Sequence, residues 1–444
     1  MEEEIKNPKR LKFQSPAGMH DVLFEDQRYF QKIYNVVEDI ANFYHFEKID
    51  TPILENTELF SRGIGLATDI VQKQMYNLRT KGGDYLTLRP EGTAPIVRAY
   101  IEHGMQNLLQ PMKLWYFGPF FRHERPQSGR FRQFHQFGFE ILGEGNPIID
   151  AQIIQIFLLI LKELKFKNLI LEINSIGDSQ CRPYYKKLLV SYFRSRESSL
   201  CADCRRRLRE NPLRILDCKE EKCQPVISQA PQMIDHLCKE CHEHFKEVLE
   251  FFDELEIPYR LNSHLVRGLD YYTRTVFEIS EGSETGKNQG ALVGGGRYDN
   301  LSKLLGKRDI PGCGGAAGIE RIVGLLKEKK IKLPSLSTPE IFLTQIGNLA
   351  KKKSLKLFEE FRKAKIQVAE SFGRDSLKAQ LTRANRLGVE FALILGQKEA
   401  LEGTIIIRNM KTGSQETVKL DGVAERMKKY LKKIMRYQYT NTYE

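Results

Sequence analysis

Two aromatic-rich runs, residues 113–122 and 132–142, constrain this chain more than any other feature. They flank residues 123–131, which hold Pro126, Ser128 and Gly129. Strand-forming residues on both sides of a turn-rich segment predict a long antiparallel hairpin. Side chains alternate between the faces of a strand. Arg132, Gln136, Gly138 and Glu140 therefore share one face, and Phe137, Phe139 and Ile141 share the other. The aromatic face belongs in a core. The polar face sets Arg, Gln and Glu around the bare Gly138, as a binding platform would, or as a wet sheet face with cross-strand ion pairs would. The first strand adds Arg122, with Glu124 beyond it. Four arginines crowd the hairpin, at 122, 125, 130 and 132. Planar guanidinium forks suit phosphate oxygens. The overall charge has the same sign: 69 Lys and Arg against 57 Asp and Glu, a net +12. Such an excess fits either a solvated surface or a polyanionic partner such as nucleic acid.

The 444 residues predict two or three domains. No apolar run approaches the length of a membrane span; the best is 156–161. The charged N-terminus lacks the apolar stretch of a secretory signal, which predicts a cytoplasmic protein without membrane partners. Apolar residues at helical spacing (Tyr29, Ile33, Val36, Val37, Ile40, Phe43) predict a helix over 26–47, followed by a short extended segment that meets Pro52. Residues 87–89 read as a strand end. Thr93 then reads as the N-cap of a helix that tolerates Pro95 in its first turn. A helix is expected over 150–166 and a strand over 169–174. Residues 179–253 change character to helical, basic and cysteine-bearing. Strand patterning returns at 259–279 and 290–294, and 312–318 opens a helix running to 327. Linker-like composition at 327–339 precedes alternating strands (341–345, 367–369, 391–395) and helices (350–364, 376–388). That alternation predicts a small α/β domain with parallel strands, closed by a basic helix over 423–436.

Two glycine-rich stretches permit close backbone approach to a ligand. Gly294-Gly295-Gly296-Arg297 ends a strand; Gly312-x-Gly-Gly-x-x-Gly318 carries Glu320 and Arg321 just beyond it. The second is not a dinucleotide fingerprint, because it lacks a βαβ unit and an acid at the required distance. Six of the eight cysteines lie between Cys201 and Cys241. In a reducing compartment they point to metal or buried thiols rather than disulfides. The pairs Cys201-x-x-Cys204 and Cys238-x-x-Cys241 are candidate ligands of one structural Zn2+. Cys218 and Cys223 lie between them, and His242 and His244 follow. Buried free thiols in a helical insertion are the alternative.

The segments Leu88-Arg89-Pro90-Glu91-Gly92-Thr93, Phe121-Arg122-His123-Glu124-Arg125-Pro126, Leu265-Val266-Arg267-Gly268-Leu269-Asp270-Tyr271-Tyr272 and Gly318-Ile319-Glu320-Arg321 occur in that order. Their combination closely resembles the histidyl-tRNA synthetase family of class II aminoacyl-tRNA synthetases, from about residue 16 to the C-terminus. The resemblance implies an α+β fold: a class II antiparallel sheet flanked by helices, with a helical insertion and a C-terminal α/β anticodon-binding domain. The boundaries it implies are 1–178 and 254–328 for the catalytic core, 179–253 for the insertion, 329–339 for a linker and 340–444 for the anticodon domain. It implies ATP-dependent attachment of L-histidine to tRNA(His) through a histidyl-adenylate, with Mg2+ and a homodimer.

By the same resemblance, Arg122 and Arg267 contact the α-phosphate. Arg321 holds the far end of the triphosphate, and Glu124, Arg130 and Arg132 complete the ATP site. Glu140 and Tyr272 serve the two imidazole nitrogens. Glu91, Thr93 and Gln136 resemble ligands of the α-amino group, while Gly92, Tyr271 and Tyr298 line the pocket, core packing being the alternative for Tyr271. The loop 125–130 would meet the tRNA acceptor end. Arg267 and Tyr272 differ by an odd number, so both face one ligand only if Gly268 allows a bend or bulge. Two related kinds of protein lack the activity: a regulatory paralogue acting on histidine biosynthesis, and a synthetase-like RNA sensor in a kinase. The first should lack the Arg267 segment and the C-terminal domain. The second should not keep Arg122, Arg267 and Arg321 together without a kinase signature.

Overall fold

In the computed structural model the described residues are 13–66, 68–124, 129–282, 290–306, 309–331, 333, 339–373 and 376–440, with side chains described up to 432. The chain parts into two units, Met1–Leu333 and Pro334–Glu444. In chain order the strands of the first are β1 (Glu47–Lys48), β2 (Leu54–Asn56), β3 (Tyr76–Arg79), β4 (Tyr85–Leu88), β5 (Met112–Phe121), β6 (Gln133–Leu142), β7 (Leu169–Ser175), β8 (Tyr259–Leu261), β9 (Thr273–Glu281), β10 (Val293–Arg297) and β11 (Gly312–Gly318). Eight of them form one sheet in the order β1-β5-β6-β11-β10-β9-β7-β8. Its six middle strands are antiparallel; only β1 and β8, at the edges, run parallel to their neighbours. β5 and β6 are the predicted hairpin, paired from Met112 opposite Leu142 to Phe121 opposite Gln133.

The apolar face of this sheet makes the main core. Helix Ile148–Glu163 lies on it and is apolar nearly all round, because further helices cover its other side. Its Phe157 ring sits 6.0 Å from Phe137, 5.7 Å from Phe139 and 6.3 Å from Phe277. Helices Phe24–Phe43, Lys239–Glu254 and Ile319–Glu328 add Ile33, Val37, Val248, Phe252, Ile322 and Leu326 to the same core. Each fully buried side chain of this size contributes about 1.5–3 kcal/mol. The first helix ends at Phe43, short of the expected residue 47. His45 takes a positive φ of 57° and Phe46 turns back into the core, its N–H donating to the Ala41 carbonyl.

One of the glycine stretches differs from expectation. Residues 312–318 do not open a helix; they are strand β11, and the helix starts at Ile319. Gly294–Arg297 end strand β10 as expected, though that strand begins at Val293 rather than at 290. The cause is close packing on both faces. A methyl on Gly315 would stand 2.9 Å from the Phe157 ring, and one on Gly295 would stand 2.8 Å from the Phe277 ring. On the opposite face a methyl on Gly294 would overlap the Arg267 guanidinium, and one on Gly314 the Glu140 carboxylate. Strands without side chains let large groups rest on their backbone. The expected run 259–279 is also interrupted: 262–272 form no strand. Arg267 and Tyr272 therefore lie on one irregular segment, which removes the parity conflict of a straight strand.

The insertion runs through helices Arg182–Arg194 and Ala202–Glu210, several short turns, and helix Lys239–Glu254. In the second unit β12 (Ile341–Gln345) lies between β13 (Val368–Glu370) and β14 (Phe391–Leu395), all parallel as predicted. An antiparallel pair missed in the sequence, β15 (Thr404–Asn409) and β16 (Gln415–Lys419), extends that sheet. Helices Asn348–Lys363, Leu377–Leu387 and Val423–Thr440 accompany it. Among the described residues no helix is long and apolar enough to cross a membrane.

Candidate active site

Leu88 ends β4, and the chain turns through 89–92 into helix Thr93–Glu102. Thr93 is not its N-cap. Gly92 holds that position, and the Glu91 carboxylate accepts the N–H groups of Thr93 (2.7 Å) and Ala94 (3.0 Å). A carboxylate at a helix N-terminus satisfies orphan donors and complements the dipole. This frees the Thr93 hydroxyl, which donates to Glu140 Oε1 at 2.8 Å. Tyr298 donates to Glu140 Oε2 at 2.5 Å, and Tyr271 donates to Glu91 Oε2 at 3.2 Å. Residues scattered from 91 to 298 thus form one buried polar cluster.

Glu140 is wholly buried. That burial pushes its carboxyl up to about 8, against the opposing pull of the Tyr298 and Thr93 hydroxyls. Burial likewise raises Tyr272 to about 12, although Arg267 nearby opposes the shift. Tyr271 packs at 4.7 Å from the Tyr272 ring and 5.9 Å from the Tyr298 ring. Its hydroxyl bond makes it part of the cluster as well as of the core.

The floor beside Gly138 is not open. Tyr116, directly across the hairpin from Gly138, lays its ring against both Gly138 and Gly92. Tyr116 is a site residue that the hairpin register alone could have revealed, because it pairs with Gly138.

Next to this cluster lies a cleft of about 330 Å³. Arg122 and Gln136 of the hairpin, Arg267 and Arg321 all line it, from three distant parts of the sequence. Arg122 is held by its Nε donating to the Pro90 carbonyl (2.8 Å) and by the Phe134 ring, 5.3 Å away. Arg267 lies on Gly294 and pairs with Glu278. Arg321 Nη1 donates to the Ala291 carbonyl at 2.6 Å. Its neighbour Glu320 anchors that helix to the hairpin, accepting from the His135 N–H at 2.8 Å and meeting His135 Nδ1 at 2.7 Å. Glu124 and Arg130 sit 3.7 Å apart at the rim.

Arg132 is the exception among the expected ATP ligands. It does not line the cleft: its guanidinium donates to the Glu124 carbonyl (3.2 Å) and the Ala17 carbonyl (3.3 Å), and so anchors the N-terminal segment. Residues 125–128, and with them most of the loop expected to meet tRNA, lie outside the described residues. Glu278 and Lys219 also line the cleft and were not anticipated. Glu278 left a signal, as an acid between the apolar Phe277 and Ile279. Lys219 left none, because the fold of the insertion places it there.

The expected metal quartet does not form. Among the described residues Cys201 and Cys204 gather with Cys218 and Cys223, whereas Cys238 and Cys241 gather with Cys181 and Asp178. His244 is engaged elsewhere, at 2.5 Å from Asp150. Asp150 also accepts from Thr275 (3.1 Å) and from the buried Arg297 (3.0 Å). Burial would raise the Asp150 carboxyl, but Arg297 and His244 outweigh it and hold the group at about 2.

This arrangement has known counterparts. Residues 18–322 match the family model for histidyl-tRNA synthetase, and residues 340–430 match the anticodon binding domain. A histidine–tRNA ligase of Dehalococcoides mccartyi is 45% identical over 94% of this chain and 100% of its own length. That of Halothermothrix orenii is 45% identical over 94% of this chain and 99% of its own. The crystal structure of apo S. aureus histidyl-tRNA synthetase superposes with a TM-score of 0.76 at 36% identity, covering 94% of this chain and 100% of that one. On its fold, on the groups gathered at the cleft and on these matches, the chain belongs to the histidyl-tRNA synthetase family.

Proposed function

We infer that the protein joins L-histidine to tRNA(His) in two ATP-dependent steps. The histidine carboxylate attacks the α-phosphorus of ATP and pyrophosphate leaves, giving histidyl-adenylate. A terminal ribose hydroxyl of tRNA then takes the acyl group and AMP leaves. The observation that carries this reading is the meeting of Arg122, Arg267 and Arg321 in one cleft that adjoins the Glu91–Glu140 cluster.

The first nucleophile is already ionised, so the protein need not supply a base. Its work is positioning and charge stabilisation at phosphorus. Arg267 and Arg122 suit the α-phosphate, where negative charge redistributes in the transition state. Arg321 and Arg130 suit the distal phosphates. Glu124 and Glu278 are hard oxygen donors at the same cleft, the ligand type and number that Mg2+ takes alongside phosphate oxygens. Bound there, Mg2+ would neutralise charge on the polyphosphate.

Glu140 suits the histidine imidazole. Each carboxylate oxygen already accepts one hydroxyl and has a lone pair left for a ring N–H. Tyr272 serves the second ring nitrogen, and Gln136 with Glu91 and Thr93 the α-amino group; Gly92, Tyr271 and Tyr298 wall the pocket. An amino acid without matching ring nitrogens leaves buried polar groups unpaired, which discriminates by about 10⁴ or more.

The second unit reads the anticodon and the loop around Arg125 meets the acceptor end. The protein works in the cytoplasm as a homodimer, docked through helix Phe24–Phe43 and the chain around Pro52; exposed Phe24, Phe43, Ile53 and Leu54 on those elements support this. The thiols of the insertion are soft donors suited to Zn2+. Pyrophosphate exchange into ATP tests the reading. Exchange that requires histidine is expected, and its absence with ATP and Mg2+ present would overturn it.

A further inference from the structure

We propose that the insertion holds two structural Zn2+ ions, and that the first of them delivers Lys219 to the nucleotide cleft. Cys201, Cys204, Cys218 and Cys223 converge with their sulfurs all within 4.8 Å of one another, three of the four residues being buried. Cys201 Sγ and Cys218 Sγ stand 3.9 Å apart. Tetrahedral zinc with bonds of about 2.3 Å requires about 3.8 Å between ligand sulfurs. Backbone N–H groups are already aimed at these sulfurs, from Cys201 to Cys223 Sγ (3.2 Å) and from Cys204 to Cys201 Sγ (3.4 Å). Thiols packed merely as small apolar groups have no need of such donors; metal-bound thiolates do.

The second centre repeats the device. Cys201 and Cys238 each immediately precede a helix, Ala202–Glu210 and Lys239–Glu254, and Cys204 and Cys241 occupy the third helical position. At the second, Cys181 and Asp178 complete the set, and the Cys238 N–H points to Cys181 Sγ at 3.2 Å. Asp178 and Cys181 stand where the insertion begins, and Cys238 and Cys241 stand at the start of its last helix. A metal there closes it onto the core beside Arg182, which donates to the Ile176 carbonyl (3.0 Å) and to the Tyr272 carbonyl.

The first centre reaches the site through the chain it closes. Between Cys204 and Cys218, Asn211 donates to Asp270 Oδ1 (2.9 Å) and Arg214 donates to the Arg267 carbonyl (2.7 Å). Immediately after Cys218 comes Lys219, which lines the cleft with Arg122, Arg267 and Arg321. An ammonium there adds a point charge for a phosphate oxygen. The sulfur cluster thus fixes both a support for Arg267 and a cation of the cleft. The role given to Lys219 rests on the ATP reading; the metal centres do not.

Elemental analysis of protein purified without chelators tests the metals directly. About two equivalents of zinc per chain are expected, falling to about one in C204S/C223S and about one in C181S/C241S. Cobalt exchanged into the first site should show the thiolate charge-transfer absorption of tetrahedral sulfur ligation. Wild-type protein that neither contains nor takes up zinc overturns both centres. A full zinc complement in either double variant overturns that centre, as does a Cys201–Cys218 disulfide for the first. Should the double variants not fold, metal content and cobalt spectrum of the wild type still decide. K219A should raise KM for ATP about fivefold, as loss of one partly exposed charge contact does, with zinc content and KM for histidine unchanged. An unchanged KM for ATP removes Lys219 from the site and leaves the metals standing.

Discussion

Histidine binding is expected to release a proton from Glu140. The carboxyl is fully buried and pushed up to about 8. At pH 7 about nine molecules in ten therefore hold it neutral, since each pH unit below the pKa is a factor of about ten. A neutral carboxyl has a proton where the imidazole N–H needs an acceptor, so histidine selects the anion. Apparent affinity scales with the competent fraction. That fraction rises from about one tenth at pH 7 to about one half at pH 8, so Kd should fall about fivefold over that unit. The free imidazole is mostly neutral throughout this range and contributes little of the trend. Titration calorimetry at pH 7 in buffers of different ionisation enthalpy should report release of nearly one proton per histidine bound. In E140Q both the proton release and the pH trend should vanish, and binding should weaken. Wild-type binding without proton release, or the same pH trend in E140Q, would refute the assignment. Stability supplies a second readout with a definite sign. Because the folded pKa lies above the unfolded one, the stability Glu140 contributes is fully present below about pH 4.5 and is lost as pH rises through about 8. E140Q should gain on wild type by up to about 1.4 kcal/mol per pH unit across that window, read from urea midpoints.

Three other substitutions test separate parts of the structure. R267A should lower adenylate formation by about 10²–10³, the cost of one preorganised transition-state donor, with histidine affinity nearly unchanged; equal losses in both would contradict its role at phosphorus. D150N removes the fully buried one of the two carboxylates paired with Arg297, leaving the less buried Asp299, and should cost about 3 kcal/mol in chemical unfolding. A cost below about 1 kcal/mol would show that Asn146, Glu144 and Asp299 suffice to hold Arg297. G315A pushes a methyl to 2.9 Å from the Phe157 ring and should destabilise by about 1–3 kcal/mol, with partial recovery in G315A/F157L. Additive effects in that pair would mean the two residues do not share one contact.

The hairpin was legible because its code is local. Alternation alone separated Phe137, Phe139 and Ile141 from Gln136 and Glu140, and β6 buries the first set against Phe157 and turns the second to the site. The parallel strands of the second unit were legible for the same reason, being apolar runs between amphipathic helices. Other signals were ambiguous until packing resolved them. Glycine permits a turn, a helix entry or a bare strand, and only the rings and charged groups resting on β10 and β11 select the strand. Arg132 has the same local context as Arg130, yet its guanidinium is drawn to the Ala17 carbonyl, more than a hundred residues away in sequence.

Residue order, then, determined the kind of chemistry on offer: guanidinium groups for phosphate, carboxyls and phenols for a polar ligand, paired thiols for a soft metal. Which of those groups share a cavity was decided by tertiary structure. Side-chain chemistry is a property of each residue, whereas proximity depends on how the sheet and the segments leaving it are arranged, and that arrangement places residues 122, 267 and 321 in one cleft although no local pattern links them. The cysteines make the point most sharply. Their spacing marked them as paired thiols, but the fold alone sorted them into two sets, one of which borrows Asp178 and Cys181 from the chain where the insertion begins.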